Sequence, residues 1–169
     1  MQARFDVEHA ERERELFRLK SEHLEEMMEQ RAKELTSLAM HLVQKNTFLQ
    51  KLRKDALRLA QAFPAAKSGF EEIVRATGEN LQSENDWQRF EQEFQHVHLG
   101  FVQMLSERYP RLTPTELKVC ALLKINLSNK EIGKLLSVSL RNVESHRYSI
   151  RKKLGLPSDV NLSSYLASL

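Results

Sequence analysis

The stretch SNKEIGKLLSVSLRNVESHRYSIRKKLGL, residues 128–156, contains two apolar helical patterns joined by a very short connection. The first pattern covers residues 129–136 and the second covers residues 140–154, which leaves only SVS between them. Two helices joined by a turn of about three residues are typical of a helix-turn-helix unit. The turn is unusual because it contains neither Gly nor Pro.

Capping residues mark the ends of these two helices and of two neighbouring ones. Thr113 and Ser128 each stand three residues before a Glu, which is the pattern of a capping box. Ser139 is a good N-cap for the second helix of the quoted stretch, and Gly155 is suited to end that helix. Asn161 can cap a further short helix. The last third of the chain therefore predicts four helices.

The second helix of the stretch has one apolar side and one polar side. The apolar side is expected to form a core with the preceding helix through Val143, Ile150, Leu154, Ile132, Leu135 and Leu136. The opposite side presents Arg141, Glu144, Ser145, Tyr148 and Lys152. Further polar residues lie on the flanks, namely His146, Arg147, Ser149 and Arg151.

The polar side matches the chemistry of the DNA major groove. Arg binds guanine O6 and N7, Glu accepts from the cytosine amino group, and Tyr can pack on a thymine methyl group. This predicts base contacts from Arg141, Glu144, Ser145 and Tyr148. Neighbouring polar and basic groups can bind phosphate oxygens and set the register on the duplex. This predicts DNA backbone contacts from Asn129, Lys130, His146, Arg147, Arg151 and Lys152.

The charge of the chain is concentrated at its C-terminal end. The net charge is +3 over 169 residues, yet residues 111–169 contain 10 basic and 4 acidic side chains. Residues 61–110 contain 4 basic and 8 acidic side chains. A basic segment attracts an anionic partner. The distribution therefore agrees with double-stranded DNA as a partner, although a solvated surface would have the same composition.

A long helix is predicted at the opposite end of the chain. Residues 1–63 contain neither Gly nor Pro, and apolar residues recur at alternating spacings of three and four. From Leu35 to Phe63 only Lys45 interrupts this series. A sustained heptad is typical of a helix that wraps around a partner helix. We expect a homodimer whose seam contains Leu35, Leu38, Leu42, Leu49, Leu52 and Leu59.

Polar residues occupy four seam positions, namely Arg14, Ser21, Arg31 and Lys45. They weaken the seam, and polar residues at such positions can fix one register or permit two. The helix is therefore either a plain dimerisation rod or a rod that transmits a signal by a change of register.

The segment over residues 64–110 is predicted to pack back on the long helix. Pro64 ends that helix, and a short helix is expected over residues 70–81. The next helix has three candidate N-caps, namely Ser83, Asn85 and Asp86. It carries an apolar face at helical spacing, formed by Trp87, Phe90, Phe94, Val97, Phe101 and Met104. Such faces more often belong to a core than to a ligand site, so a bundle of two hairpins is expected in the homodimer.

The composition argues against several classes of protein. Cys120 is the single cysteine, which leaves no internal disulfide and no zinc site built from cysteines. No apolar run approaches the ~18 residues needed to cross a membrane, and the start shows no secretory signal. His96 and His98 point to different helix faces and cannot share a metal. We expect a cytoplasmic protein without enzymatic activity, cofactor, metal, small-molecule substrate or membrane contact in this chain.

Residues 111–169 resemble the C-terminal DNA-binding domain of LuxR/FixJ-type (GerE-like) transcription regulators. The matching submotifs are L-T-x-x-E at 112–116, L-S-N-K-E-I at 127–132, L-x-V-S at 136–139, V-E-x-H-R at 143–147 and K-K-L-G at 152–155. In that family the third of four helices reads the major groove, and the fourth often contributes to dimer contacts. The resemblance implies that Glu144, Ser145 and Tyr148 face the bases. Many members have Lys or Thr in place of Glu144, so a guanine contact is not expected at this position. We expect Glu144 to contact cytosine or adenine instead.

The preceding region resembles the segment before this domain in large bacterial one-component membrane sensors. The similar stretches are AMHLVQKNTFLQKLRKD at residues 39–55 and DWQRFEQEFQHVHLGFVQMLSERYPRLTP at residues 86–114. Those sensors have periplasmic propeller-type repeats and a cytoplasmic coiled coil. The resemblance implies that this chain is the cytoplasmic output end of a longer protein with an upstream membrane sensor domain.

Three other functions would also suit a helical chain, namely phosphotransfer, a sigma-factor region and an adaptor. A phosphotransfer bundle would use His41, but this residue has no adjacent acid and no Gly-rich nucleotide-binding segment follows it. A sigma-factor region would need an aromatic and basic promoter-melting segment upstream, where this chain has the heptad rod. An adaptor that dimerises without binding DNA stays open, although the intact basic face argues against it.

The expected fold is all-α, with a long coiled-coil and helical-hairpin dimerisation region followed by a four-helix LuxR-type helix-turn-helix domain. The expected domains are a heptad helix over residues 1–63, a bundle segment over residues 64–110 and a DNA-binding domain over residues 111–169. The expected function is sequence-specific binding of double-stranded DNA by a homodimer. Its two heads would bind symmetric half-sites about one DNA turn apart.

Overall fold

The computed structural model describes residues 2–81 and 84–169, and the side chains of residues 2–8, 10 and 84 lie outside the described part. Within these residues the chain forms eight α-helices, one 3-10 helix and no strand. The α-helices are α1 Gln2–Ala62, α2 Lys67–Leu81, α3 Glu84–Val97, α4 Phe101–Arg108, α5 Pro114–Lys124, α6 Asn129–Leu135, α7 Leu140–Leu154 and α8 Leu162–Ser168. The predicted all-α fold is confirmed.

The 61-residue helix α1 and the helix α2 form a hairpin. They are joined by Phe63 and the 3-10 helix Pro64–Ala66. Pro64 cannot donate a backbone hydrogen bond, so α1 ends just before it as predicted. The helix α2 begins at Lys67, three residues before the predicted start at Phe70. The connection between the two helices is therefore shorter than the sequence suggested, because residues 67–69 already belong to α2.

The apolar face predicted over residues 87–104 is divided between two helices. The helix α3 ends at Val97, and α4 begins after Gly100, which has φ of 73°. Glycine adopts this left-handed conformation without the strain that a Cβ would cause, so the chain turns there. Despite the break, Phe90, Phe94 and Phe101 are all buried. The prediction of a single helix was wrong, whereas the prediction that this face packs in a core is confirmed.

The start of α3 also differs from the prediction. Asn85 and Asp86 lie inside the helix and do not cap it. Ser83, the third candidate cap, lies outside the described residues. Asp86 instead forms an ion pair with Lys45 of α1, which fixes α3 on the long helix.

The helices α5 to α8 form a compact unit, here called the head. The capping boxes at Thr113 and Ser128 are confirmed, since each side chain accepts from the backbone N–H of the Glu three residues later. Ser139 and Asn161 accept from backbone N–H groups in the same way and cap α7 and α8. Gly155 ends α7 in the left-handed conformation. These local signals explain why the helix boundaries in the head agree with the sequence.

The turn between α6 and α7 has a special geometry. Ser137 has a positive φ of 55°, a conformation that turns usually assign to Gly. Gly133 lies against this turn, and a Cβ added to it would be 3.0 Å from the carbonyl oxygen of Val138. The absence of a side chain at Gly133, and not a Gly in the turn itself, lets the two helices approach closely.

One buried cluster connects the hairpin with the head. It contains Leu35, Leu42, Phe90 and Phe94 from the first three-fifths of the chain and Val119, Ile132, Ile150 and Leu166 from the head. Aromatic rings of α3 pack along it, with centroids 5.2 Å apart for Trp87 and Phe90 and 5.9 Å apart for Phe90 and Phe94. The helix α1 also contacts α6 directly, so the head lies docked on the hairpin.

Candidate nucleic-acid interface

A buried carboxylate fixes α7 on the head. Glu116 of α5 is 3% exposed, and it accepts hydrogen bonds from Ser149 Oγ at 2.7 Å and Lys153 Nζ at 2.6 Å. The backbone N–H of Thr113 donates to the same carboxylate at 2.7 Å. Two polar residues of α7 are therefore held on the inner side of the helix. This orientation turns the opposite side of α7 toward solvent.

Two opposing effects act on the pKa of Glu116. Burial raises it, but hydrogen bonds from Lys153, Thr113 and Ser149 outweigh burial and lower the pKa to about 2. The carboxylate is therefore ionised at neutral pH and is paired with Lys153. Nearby, burial and the charge of Glu116 raise the pKa of the Cys120 thiol to about 12. This thiol is consequently a poor nucleophile at neutral pH.

The four residues predicted to read bases lie on the outer side of α7. Arg141, Glu144, Ser145 and Tyr148 are all exposed. Tyr148 is 61% exposed, which is a large fraction for an aromatic side chain. The ammonium of Lys152 lies 4.8 Å from the centroid of the Tyr148 ring. The structure thus brings an aromatic ring and a cation together at the C-terminal end of this face.

The residues predicted to contact the DNA backbone fall into two groups. Lys130 and Lys152 are exposed, and Asn129 and His146 are half-buried. Arg151, in contrast, donates hydrogen bonds to the carbonyl oxygens of Pro157 and Val160. Its guanidinium therefore fixes the connection between α7 and α8.

Arg147 is directed toward α8 as well. One of its guanidinium nitrogens lies 3.4 Å from Ser163 Oγ, and the side chain is half-buried. Burial and the neighbouring Arg151 lower the pKa of Arg147. The structure thus separates Arg147 and Arg151 from the residues on the outer side of α7.

The end of α6 is docked on α1 by a residue that the sequence interpretation missed. Asn46 is 5% exposed, and its Nδ2 donates to the carbonyl oxygens of Lys134 and Leu135, each at 3.0 Å. Carbonyl groups in the last turn of a helix have no partner within the helix, so Asn46 satisfies two of them. Lys134 also donates to Gln50 Oε1 at 2.9 Å. The spacing from Ala39 and Leu42 already placed Asn46 on the buried face of α1.

The six leucines predicted for the dimer seam have different environments. Leu35 and Leu42 are buried within the single chain, in the same cluster as Phe90 and Phe94. Leu52 is 38% exposed, and Leu38, Leu49 and Leu59 are half-buried. Lys45, which interrupts the apolar series, pairs with Asp86. Part of the heptad thus packs within the chain, because α3 covers the middle of α1.

The N-terminal half of α1 has a different character. Every residue from 11 to 31 is exposed, which corresponds to about 30 Å of helix. Its apolar residues include Phe17, Leu24 and Met28, with exposed fractions of 77%, 60% and 39%. These three residues occupy the heptad positions read from the sequence. No other described element covers this part of the helix.

Three further features bear on other functions, namely His41, possible metal-binding groups and possible membrane-spanning helices. His41 is exposed on α1 and forms no ion pair with a described carboxylate. Among the described residues, no group of three or more His, Cys, Asp or Glu side chains is arranged to hold a metal ion. The described helices include none that is long and apolar enough to cross a membrane.

Residues 110–166 match the family described as bacterial regulatory proteins, luxR family. This range contains the capped helices α5 to α7, the turn between α6 and α7, and most of α8. The head is therefore a LuxR-family helix-turn-helix domain, as the sequence motifs predicted.

Curated relatives match part of the chain. The putative HTH-type transcriptional regulator Rv0890c of Mycobacterium tuberculosis (strain ATCC 25618 / H37Rv) is 53% identical over 51 residues, which are 30% of this chain and 6% of that protein. The uncharacterized response regulatory protein YgeK of Escherichia coli (strain K12) is 36% identical over 72 residues, 41% of this chain and 48% of that protein. The chain thus spans less than two thirds of either relative. No solved structure gives a significant match.

Proposed function

We propose that this chain binds double-stranded DNA in a sequence-specific manner and regulates transcription as a homodimer. The observation that carries the proposal is the outer side of α7, where Arg141, Glu144, Ser145 and Tyr148 are exposed together within a LuxR-family domain. The names of the relatives as transcriptional or response regulators support the same role. The activity is binding without chemistry, so it needs no cofactor.

Four side chains read bases in this proposal. Arg141 binds guanine, Glu144 accepts from the amino group of cytosine or adenine, and Tyr148 packs on a thymine methyl group. Ser145 donates or accepts according to the base that it meets. The anchor at Glu116 supports the readout, because it holds α7 at a fixed rotation and keeps Ser149 and Lys153 out of the groove.

Phosphate contacts come from the residues around this face. Lys130 and Lys152 carry exposed charges, and Asn129 and His146 are half-buried. Arg147 contributes through its charge at the edge of the head. We assign Arg151 to the connection between α7 and α8, since its guanidinium donates to two carbonyl oxygens there.

Dimerisation is proposed to use the exposed half of α1. Phe17, Leu24 and Met28 form an apolar series at heptad spacing that no other described element covers. A helix that projects about 30 Å without tertiary contacts gains its stability from a partner helix. Leu52 extends the seam toward the hairpin. Leu35 and Leu42 are excluded from it, because the chain already buries them.

The same proposal divides the chain into three parts. These are a rod over residues 1–63, a bundle segment over residues 64–110 and a head over residues 111–169. The rod would receive a signal from an upstream membrane sensor and pass it to the heads. The small share of the mycobacterial relative that the chain spans is consistent with such an output module. In this arrangement the chain acts in the cytoplasm, where the DNA is.

Selection of random-sequence duplex DNA by the purified chain at two salt concentrations tests the proposal. An enriched inverted repeat is expected, and the Arg141→Ala, Tyr148→Ala double variant should lose it. Arg89→Ala is the control, because Arg89 is exposed on α3 outside the head. Binding without an enriched motif would contradict sequence-specific readout. No binding at low salt would favour the adaptor.

A further inference from the structure

A cavity of about 610 Å³ lies where the head meets the hairpin. Residues from α1, α2, α3, α5 and the end of α6 line it, so both parts of the chain contribute to its walls. The outer residues of α7 take no part in its walls. Its volume is in the range of cavities that bind small organic ligands, about 300–1,000 Å³.

Two cations face this cavity from different elements. Arg53 of α1 and Lys118 of α5 both line it, and neither forms an ion pair with a described carboxylate. Lys118 lies 4.8 Å from the centroid of the Trp87 ring, which also lines the cavity. The carboxylate of Asp86 is neutralised by Lys45. The cavity therefore attracts an anion, and Arg53 and Lys118 each offer a cation to a carboxylate or phosphate.

The wall also contains a polar atom without a partner. Asn46 lines the cavity, and Lys134 and Leu135 occupy its Nδ2. Its Oδ1 is buried and has no hydrogen-bond donor, and no other buried side-chain atom of the described residues is in this situation. Buried polar groups are nearly always paired, so an unpaired one points to a missing partner. An N–H or O–H donor inserted between α1 and α6 would satisfy this oxygen.

Four leucines form the apolar part of the wall, and Gln50 and Ser137 add two polar side chains to it. Leu42 and Leu81 come from the hairpin, and Leu135 and Leu136 come from the head. Gly78 of α2 adds open space, because a Cβ built on it would meet no atom within 4 Å. A planar apolar body can pack against these leucines and the indole ring of Trp87, which also lines the cavity.

We propose that this cavity binds a planar organic anion that carries an N–H or O–H donor. The anionic group lies between Arg53 and Lys118, the planar body lies against the leucines, and the donor reaches Asn46 Oδ1. Because the oxygen is covered, the ligand shifts α6 slightly on α1 as it enters. The ligand thus contacts both the head and the hairpin and acts on the way they are docked. The site is independent of the proposed DNA face and does not rest on it.

The indole N–H of Trp87 offers a direct readout, since Trp87 is the single tryptophan of the chain. The full chain is labelled with ¹⁵N, and its one indole signal is followed during titration. The probes are adenosine 5′-monophosphate and 4-hydroxybenzoate, two anions of different size that each carry a planar ring, with inorganic phosphate as an anion without a planar ring. A saturable shift is expected for at least one planar anion, and phosphate should need at least about tenfold higher concentration.

Two pairs of variants establish where the probe binds. Gly78→Leu fills the cavity from a helical position, and Gly69→Leu is its match in the same helix outside the cavity. Leu favours a helix over Gly, so both variants should fold. Arg53→Gln removes one of the two cations that line the cavity. Its matched control is Lys54→Gln, because Lys54 is exposed next to Arg53 and does not line the cavity.

We expect Gly78→Leu and Arg53→Gln each to weaken binding by about tenfold or more, and the two control variants to bind as the parent chain does. The proposal is overturned if neither planar anion moves the indole signal. It is also overturned if Gly78→Leu binds as tightly as Gly69→Leu. DNA binding is measured separately, so failure of this site leaves the DNA proposal untouched.

Discussion

At the scale of single residues, Glu116 has the largest role in the head. It belongs to the capping box of α5, and it also binds Ser149 and Lys153 of α7. The capping function was readable from the sequence, because Thr113 and Glu116 are three residues apart. The second function was not, because Lys153 lies 37 residues further along the chain. Only packing brings these two charges together.

The first prediction concerns the charge of Glu116. We expect Glu116→Gln to lower the free energy of unfolding at pH 7 by about 3 kcal/mol, because it leaves Lys153 without its partner charge. The pKa is lowered on folding, so this stabilisation is present above about pH 4.5 and is lost as the pH falls toward 2. Urea unfolding at pH 7 and near pH 2.5 measures both values.

The matched control for this variant is Glu144→Gln on the outer side of α7. Glu144 is exposed and should change stability little at either pH. If Glu116→Gln and Glu144→Gln were equally stable at pH 7, the anchor described for α7 would be wrong. A deficit of Glu116→Gln that stayed constant down to pH 2.5 would contradict the lowered pKa.

A second prediction separates Tyr148 from Lys152, although the two side chains are in contact. Tyr148→Ala should relax the preference for one base pair, because the ring contacts bases in our proposal. Lys152→Ala should weaken binding to all sequences and reduce the salt slope by about one, because it removes a phosphate contact. Titrations of selected and scrambled duplexes at several salt concentrations measure both effects. The reverse assignment would show that α7 is oriented differently on DNA.

At the scale of elements, the contact between α6 and α1 determines how the head is held. Asn46 donates to two carbonyl oxygens of α6, of which that of Lys134 also accepts from the backbone N–H of Ser137. We expect Asn46→Ala to weaken this contact by about 1–3 kcal/mol, because the carbonyl group of Leu135 stays buried without its donor. Hydrogen exchange should accelerate in the last turn of α6 and in the facing part of α1.

Gln44→Ala is the control for this variant, since Gln44 is exposed on the same helix. Its exchange should match that of the parent chain. Unchanged exchange in Asn46→Ala would mean that the head is held by its apolar contacts alone. Faster exchange throughout the head would indicate that Asn46 contributes to the fold of the head rather than to its docking.

The exposed half of α1 gives a prediction about assembly. Phe17→Glu combined with Leu24→Glu places charges at two positions of the proposed seam and should convert the dimer to a monomer. Light scattering coupled to size-exclusion chromatography measures the mass. Lys20→Glu is the control, because Lys20 is exposed in the same segment outside the seam and the substitution changes the net charge with the same sign. This variant should leave the dimer intact.

The elements also show how far sequence reasoning reaches. The boundaries of α5 to α8 follow from local caps, and a cap involves residues only three positions apart, so the sequence predicted them well. The break at Gly100 was missed, because a regular apolar spacing continues on both sides of it. The burial of Leu35 and Leu42 within one chain was missed as well. A heptad shows that a helix has a partner, but it does not show whether that partner is α3 or a second copy.

The outer side of α7 was predicted correctly as an exposed surface, since helical periodicity determines which residues share a face. The roles of its flanking arginines were harder to predict. Unlike Lys152, both arginines bind the segment that follows α7. Arg147 binds Ser163, and Arg151 binds Pro157 and Val160. These partners depend on where α8 packs. Periodicity alone carries no information about that packing.

At the scale of the whole molecule, the rod and the head are mechanically connected. The helix α1 runs from the exposed seam to the docking contact at Asn46, and the cavity lies beside that contact. A change in the register of the rod would therefore move the surface on which α6 is docked. In the proposed homodimer, an input at the rod or a ligand in the cavity would therefore change the placement of the two heads.

The most direct measurement of the central claim locates α7 on DNA. Ser145→Cys places a thiol on the outer side of α7, and an iron chelate attached there cleaves nearby DNA. Cys120 is buried with its pKa raised to about 12, so it should not react with the label at neutral pH. On the selected duplex, the account predicts two symmetric clusters of cleavage in the major groove, about 10 base pairs apart. A single cluster, or cleavage spread along the whole duplex, would contradict a homodimer that reads DNA through α7.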